Sequence, residues 1–161
     1  MASSALTPYL TFALGNDSYA TALLRIKEIA AHTPISRVPE TPAWLLGVTN
    51  LRGTVVPVIS LARRLGLPSA PVTKKTCILV LDIERHGEPS PVALEVDSVS
   101  ELLELGPDSL EPCPAFGTPI ESQYILGIAH TGERLVYLLD LDRVLNVSSM
   151  ASAAQGEPRA T

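Results

Sequence analysis

Apolar and polar residues alternate along much of the chain with the period of two that is typical of β-strands. Leu10, Phe12 and Leu14 alternate with Tyr9, Thr11 and Ala13, and a turn-forming Gly-Asn-Asp-Ser cluster follows at 15–18, so a return strand from Tyr19 is predicted to complete a hairpin. Further β-rich runs lie at residues 25–33, 48–51, 54–59, 76–83, 91–96, 99–105, 125–130 and 134–139. Short strands at this density predict a mainly β fold of barrels or a sandwich, rather than a parallel sheet.

Helical spacing is confined to short segments. Ser60 precedes a Leu-Ala-Arg-Arg-Leu run, and Asp140 precedes a Leu-Asp-Arg-Val-Leu run. Each segment combines an N-cap residue with leucines four positions apart, which predicts two short helices. Residues 41–47 predict one further helical turn, with Thr41 as its cap and Pro42 at its first position.

The second half of the chain repeats the first. At a constant offset of 80, residues 44–65 match residues 124–145, and at an offset of 73, residues 20–29 match residues 93–102. The repeated strand–strand–capped-helix order predicts two similar β units, roughly residues 9–75 and 76–147, which pack together or exchange strands. Each unit would be only marginally stable alone. Chance similarity between β-rich segments is the alternative.

Composition narrows the classes of function. The chain has 161 residues, of which 46% are hydrophobic and only 4% aromatic, so the core must be aliphatic and a base-stacking platform is disfavoured. A net charge of −5 would repel nucleic acid. Cys77 and Cys113 lie 36 positions apart without a C-x-x-C motif, which indicates neither a disulfide framework nor a zinc site.

The ends of the chain and its motifs exclude further classes. There is no signal-peptide pattern at the N-terminus and no apolar run near the ~20 residues of a membrane span, so we expect a cytosolic protein without direct membrane insertion. Residues 1–8 are expected to be a tail, and residues 148–161, rich in Ala and Ser, a disordered one. P-loop, G-x-S-x-G and H-E-x-x-H motifs are absent and the three histidines are scattered, so no catalytic residue, cofactor or metal is expected.

One long motif carries a family resemblance. Residues 45–61 read Leu-Leu-Gly-Val-Thr-Asn-Leu-Arg-Gly-Thr-Val-Val-Pro-Val-Ile-Ser-Leu, which resembles the central signature of the CheW-like adaptors. Residues 12–15, 19–20, 26–29 and 38–42 are similar to the opening of that family, and the likeness extends over residues 9–147. Ser60 is a departure, since the family usually carries Asp there, but it changes only a helix cap.

The resemblance implies two intertwined five-stranded SH3-like barrels and a function in binding. It implies a non-enzymatic scaffold that couples chemoreceptors, the methyl-accepting chemotaxis proteins, to a CheA-type histidine kinase in chemosensory signal transduction. One surface would take the cytoplasmic helical tip of the receptor and others the regulatory domain of the kinase, at receptor arrays on the inner face of the membrane. Two alternatives stay open: a CheW-like adaptor of a pilus or gliding pathway, and an SH3-like peptide-binding module unrelated to kinases.

Candidate binding residues cluster around two charges of opposite sign. Arg52 lies in what should be a tight turn, and the resemblance places the receptor contact around this arginine and around the strand that contains Glu28. We hypothesise that the two residues form an ion pair beside apolar contact area; a solvated turn arginine is the alternative. The receptor-binding set is Ile26, Glu28, Ile29, Asn50, Leu51 and Arg52.

Three other positions are predicted to be structural. Gly47 and Gly53 are expected to be turn residues whose backbone angles a Cβ would penalise. Trp44 is expected to be a core residue at the junction of the barrels, with an exposed interface anchor as the alternative.

Charge divides unevenly along the chain. Residues 1–75 carry eight basic and three acidic side chains, and residues 76–161 carry four basic and fourteen acidic ones. An electrically polar particle of this kind favours head-to-tail contacts. We therefore expect the basic unit, with Arg63 and Arg64 as candidate kinase-binding residues, to dock on an acidic kinase surface or on other copies of the chain in rings or arrays. Incidental surface charge is the alternative.

Overall fold

The computed structural model describes residues 6–146, which form eleven strands and two short α-helices. The elements are β1 Thr7–Leu14, β2 Asp17–Ala22, β3 Glu28–Ala31, β4 Leu45–Leu51, β5 Thr54–Ser60, α1 Leu61–Arg64, β6 Cys77–Arg85, β7 Glu88–Val96, β8 Ser98–Leu105, β9 Leu110–Glu111, β10 Ile125–Thr131, β11 Arg134–Leu139 and α2 Leu141–Val144. Single 3-10 turns lie at Leu23–Arg25, Pro107–Ser109 and Ser122–Tyr124. The predicted mainly β fold is confirmed.

Two sheets form two SH3-like barrels. The first sheet has the order β8-β1-β2-β11-β10-β9, and the second has the order β3-β6-β7-β5-β4. In the second barrel, the segment after β3 returns to β4, where Ser36 and Val48 exchange backbone hydrogen bonds of 2.8 and 2.9 Å. The two-residue strand β9 does the same for β10 in the first barrel, so its sheet has six strands rather than the expected five.

The hydrogen-bond register repeats as the sequence does. β5 pairs in parallel with β7, which places Val58 opposite Ala93. β11 pairs in parallel with β2, which places Leu138 opposite Ala20. These two pairs are related by the offsets of 80 and 73, so the internal repeat is structural and not a chance similarity of β-rich segments.

The repeat boundary is not the boundary between the barrels. The second barrel is built from consecutive strands β3 to β7, within residues 28–96, and the first from β1, β2 and β8 to β11. The two units of residues 9–75 and 76–147 therefore exchange strands, which is one of the two expected arrangements: β1 and β2 join the first barrel, and β6 and β7 join the second. The cause is the parallel pairing of β2 with β11, which brings strands from the two ends of the domain into one sheet. β1 begins at Thr7, so the expected tail of residues 1–8 is also too long, and residues 148–161 lie outside the described part.

Both capped helices are confirmed. The Ser60 hydroxyl accepts from the Arg63 amide at 3.3 Å, and the Asp140 carboxylate accepts from the Arg143 amide at 3.2 Å. The predicted helical turn at residues 41–47 is wrong. The Leu45 amide donates to the Pro42 carbonyl at 3.0 Å, but the Thr41 hydroxyl donates to the carbonyl of Val38 instead of capping a helix. Pairing with β5 draws the chain into β4 from Leu45 onward.

The main core lies between the barrels. Phe12, Tyr19, Leu61, Leu81 and Leu94 are among its fully buried members. Two smaller clusters fill the barrel interiors, one from β5, β6 and β7 and one from β2, β10 and β11. The largest core cluster therefore contains residues of both barrels and joins them.

Candidate functional site

The turn between β4 and β5 is a tight one that requires left-handed backbone. Arg52 has φ 53° and Gly53 has φ 86°, and two such residues in succession are typical of a type I′ hairpin turn. The Asn50 side-chain oxygen accepts from the Gly53 amide at 2.9 Å and closes the turn. The Arg52 side chain is 80% exposed, as expected for a presented residue.

Glu28 and Arg52 form the ion pair that the sequence suggested. Arg52 Nη2 lies 2.9 Å from Glu28 Oε2, and the Glu28 side chain is 29% exposed at the start of β3. Because β3 and β4 are the outer strands of the second sheet, the pair spans the closure of the barrel. An ion pair at this exposure contributes roughly 0–1 kcal/mol to stability, so its main effect is on the orientation of the turn.

The apolar residues expected beside this pair are only partly available. Ile29 is 45% exposed, but Ile26 packs against the core between the barrels and Leu51 packs against the interior of the second barrel. Val55, on strand β5, is 64% exposed and was not predicted from the sequence. Its alternation with the buried Val56 is the signal that could have found it. We call Glu28, Ile29, Asn50, Arg52 and Val55 the hairpin patch.

The first barrel carries a counterpart of this patch. The offset of 73 relates Glu28 and Ile29 to Glu101 and Leu102, and the latter is 55% exposed. The offset of 80 relates Val55 to Leu135, which is 42% exposed. Glu101 pairs with Arg134 at 3.9 Å, but this arginine matches Thr54 rather than Arg52, so the counterpart is looser.

Gly47 is structural for a reason other than the expected turn. It lies within β4 at a register shift, with φ 145°. A Cβ added there would overlap the Ser36 carbonyl oxygen and lie 2.9 Å from Ile35 Cγ2. The position therefore requires glycine because two backbone segments approach closely, whereas Gly53 has open space around it and requires glycine for its φ alone.

The two candidate kinase-binding arginines have different environments. Arg63 is exposed and donates one N–H to the Ala43 carbonyl at 3.0 Å. The Arg64 guanidinium lies 5.5 Å from the ring centre of Trp44 and 6.0 Å from that of Tyr124, and its Nε is buried without a hydrogen-bond partner. Arg64 is thus a cation–π residue and not the freely presented charge that we expected. Trp44 is partly buried against the central core, in keeping with a junction residue.

Charge grouped by barrel differs from charge grouped by sequence half. Residues 28–96, which hold the second barrel, carry seven basic and six acidic side chains. Residues 7–22 and 98–146, which hold the first, carry two basic and nine acidic ones. The first barrel is therefore the acidic end of the molecule, and the second barrel is nearly neutral. The second barrel is not basic because Arg25 and Lys27 lie in the connection between the barrels.

The described residues contain little that suggests chemistry. Burial raises the pKa of the Tyr19 hydroxyl far above its usual value, and this oxygen has no hydrogen-bond partner, which suits a core residue and not an acid–base catalyst. Within residues 6–146 no three His, Cys, Asp or Glu side chains are grouped to hold a metal ion. No helix in that range is long and apolar enough to cross a membrane.

Known proteins match this chain over most of its length. It is 32% identical over 143 residues to "Chemotaxis protein CheW" of Klebsiella aerogenes, which covers 89% of this chain and 84% of that one. It is 22% identical over 149 residues to "Protein FrzA" of Myxococcus xanthus, which covers 91% and 90%.

A solved structure has the same fold. The crystal structure of the scaffolding protein TtCheW from Thermoanaerobacter tengcongensis superposes with a TM-score of 0.77 at 29% identity, over 88% of this chain and 89% of that one. The model of the CheW-like domain matches residues 8–149. This chain therefore belongs to the CheW-like domain family.

Proposed function

We propose that this protein is a non-enzymatic adaptor that couples chemoreceptors to a CheA-type histidine kinase on the cytoplasmic side of the membrane, at receptor arrays. The observation that carries the proposal is the hairpin patch: the family's central signature forms an exposed turn whose arginine is held by Glu28 at 2.9 Å. The names of the relatives, as chemotaxis and scaffolding proteins, support the same assignment.

The hairpin patch is our candidate for the receptor-binding surface. The side chains of Ile29 and Val55 are 45% and 64% exposed, whereas most Ile and Val residues of folded proteins are buried. The Glu28–Arg52 pair and Asn50 add polar groups around them. Exposed apolar side chains together with these polar groups suit the cytoplasmic helical tip of a receptor.

The kinase-binding surface is proposed on the second barrel, around Arg63. Arg63 is exposed on the nearly neutral second barrel, whereas the Arg64 guanidinium contacts the aromatic rings of Trp44 and Tyr124. The acidic first barrel of another copy, or an acidic surface of the kinase regulatory domain, would be attracted to this side. Such head-to-tail contacts would permit rings or arrays.

A second candidate function is an adaptor of a pilus or gliding pathway. The observation that favours it is the match to Protein FrzA, a relative whose name is not that of a chemotaxis protein. Identification of the receptor and kinase genes that neighbour the gene for this chain would decide between the two pathways.

Co-sedimentation tests the proposed function. Receptor-containing membranes are mixed with the kinase, with and without this protein, and the pelleted kinase is measured. We expect the wild-type chain to increase kinase recruitment and the Arg52→Glu variant to do so less. Recruitment that is the same with and without the wild-type chain would contradict the adaptor function and would leave a peptide-binding module unrelated to kinases.

A further inference from the structure

The second barrel contains a cavity of about 280 Å³ outside the hairpin patch. It lies where the segment after β3, the start of α1 and the loop at residues 69–72 come together. Its lining includes two arginines, a histidine–carboxylate pair and two apolar side chains. These are Arg37 and Arg63, His32 and Glu95, and Leu46 and Val72. Arg63 is also the centre of the proposed kinase-binding surface, but the rest of this set has no part in the proposed adaptor function.

Among the described residues neither arginine forms a close ion pair, although Arg63 lies near enough to Glu95 to favour its ionised form. Among residues 6–146, Arg37 forms no ion pair, and Arg63 uses only one N–H, on the Ala43 carbonyl at 3.0 Å. Both also line a neighbouring cavity of about 280 Å³, which contains Glu40. They therefore stand at the boundary between the two cavities, with their remaining donors free for a ligand.

The carboxylate in the wall does not cancel these charges. Glu95 Oε2 lies 3.2 Å from His32 Nε2, and the two side chains are only 17% and 25% exposed. Burial raises the pKa of the Glu95 carboxyl, an effect that His32 and Arg63 oppose and that Asp97 reinforces. Two arginines line the cavity against this one carboxylate, so the cavity has an excess of positive charge.

The size and lining indicate what would fit. A volume of about 280 Å³ is at or below the ~300–1,000 Å³ of small-molecule sites, so it suits one or two side chains better than a cofactor. Leu46 and Val72 provide an apolar wall, and Val72 is 55% exposed. An arginine guanidinium matches a carboxylate with two parallel hydrogen bonds, and lysine cannot reproduce that geometry.

We propose that this cavity binds an acidic peptide segment of a partner protein, which places an apolar side chain against Leu46 and Val72 and a carboxylate on Arg37 and Arg63. The site is separate from the hairpin patch but shares Arg63 with the proposed kinase-binding surface, and its test requires neither receptor nor kinase. Its failure would therefore leave the adaptor function untouched, and failure of the adaptor function would leave this site testable.

The test uses the full chain and a short fluorescent peptide with a central Glu-Leu-Glu sequence. The matched control peptide has Gln-Leu-Gln, and free glutamate is a third probe. Anisotropy measures affinity, and backbone amide NMR shifts locate the binding surface. We expect the Glu peptide to shift the signals of His32, Leu46 and Val72, to bind at least about tenfold more tightly than the Gln peptide, and to bind more weakly at high salt.

Charge-removing variants complete the test. Arg37→Gln with Arg63→Gln should weaken the Glu peptide at least about tenfold without changing the melting temperature. Arg85→Gln with Lys74→Gln removes the same charge outside the cavity and should not affect binding. Equal binding of the two peptides, equal effects of the two double variants, or binding of free glutamate as tight as that of the peptide would each overturn the proposal. The proposal would also be overturned if the wild-type chain did not bind the peptide but dimerised through Arg37 and Arg63, since the occupant of the cavity would then be a second copy of the chain.

Discussion

Replacement of Gly47 by alanine should damage the second barrel more than the same change at Gly53 and more than its counterpart in the first barrel, Gly127. The added Cβ would overlap the Ser36 carbonyl oxygen and lie 2.8 Å from the Ser36 carbonyl carbon. Both atoms belong to backbone, so no side chain can rotate away. The segment at Ser36 and strand β4 would have to separate by about 1 Å to restore ordinary van der Waals contact.

The cost follows from what that separation breaks. Ser36 and Val48 exchange hydrogen bonds of 2.8 and 2.9 Å, which close the barrel. Each contributes about 1 kcal/mol, so their loss costs about 2 kcal/mol. Alanine at φ 145° adds backbone strain of about 1–3 kcal/mol. We therefore expect Gly47→Ala to lower the free energy of unfolding by about 3–5 kcal/mol, against about 5–15 kcal/mol for a typical domain.

The repeat supplies a matched control. Gly127 is the equivalent residue in β10, but the tightest contact of a Cβ there is the Glu111 carbonyl oxygen at 3.3 Å, on the short strand β9, and its contacts with Leu110 are ordinary van der Waals ones. Gly127→Ala should cost about 1 kcal/mol or less, since the neighbour can shift slightly and the unfolded chain loses entropy. Gly53→Ala, at φ 86° in open space, should cost about 1–2 kcal/mol. Urea denaturation of the three variants measures these values, and a Gly47→Ala cost within about 1 kcal/mol of the Gly127→Ala cost would refute the close-approach argument.

Four further predictions concern charge. Arg52→Glu should weaken receptor binding with almost no change in melting temperature, because its exposed pair with Glu28 contributes only about 0–1 kcal/mol; a large fall in melting temperature would show a structural role. Arg64→Gln should cost about 1–2 kcal/mol in urea denaturation, because its cation–π contacts are partly buried, whereas Arg63→Gln should cost about 0.5 kcal/mol or less; equal costs would contradict this. The pKa of the Glu95 carboxyl is raised in the folded state, so its ionisation destabilises the native state as the pH rises from about 4 to 7. Glutamine stays neutral, so the free energy of unfolding of Glu95→Gln should increase relative to that of the wild type over this pH range. Urea denaturation at both pH values measures the difference, and a decrease would contradict the prediction. Affinity for the kinase regulatory domain should fall between about 50 and 500 mM salt and with Arg63→Glu, but indifference to both would leave an apolar interface.

The sequence alone was enough for the local structure and for the family. Alternation at residues 9–14 predicted the first hairpin, Ser60 and Asp140 predicted both helices, and the motif at residues 45–61 indicated CheW-like adaptors. Even the Glu28–Arg52 pair could be proposed, because the family resemblance places the receptor contact around these two residues and they carry opposite charge. These features depend on residues near one another in the chain or on a repeated motif, which the order of residues records directly.

Only the tertiary structure decided which strands share a barrel and which charges are free. The parallel pairing of β2 with β11 joins the two ends of the domain, and no local pattern encodes a pairing over such a separation. It moved the barrel boundary away from residue 75 and with it the division of charge. Arg63 and Arg64 are neighbours of the same type, but one faces solvent and the other lies over Trp44 and Tyr124, because successive residues on a helix point in different directions. Gly47 looked like a turn residue until the fold brought Ser36 against it, since a contact between distant backbone segments exists only once the barrel has closed.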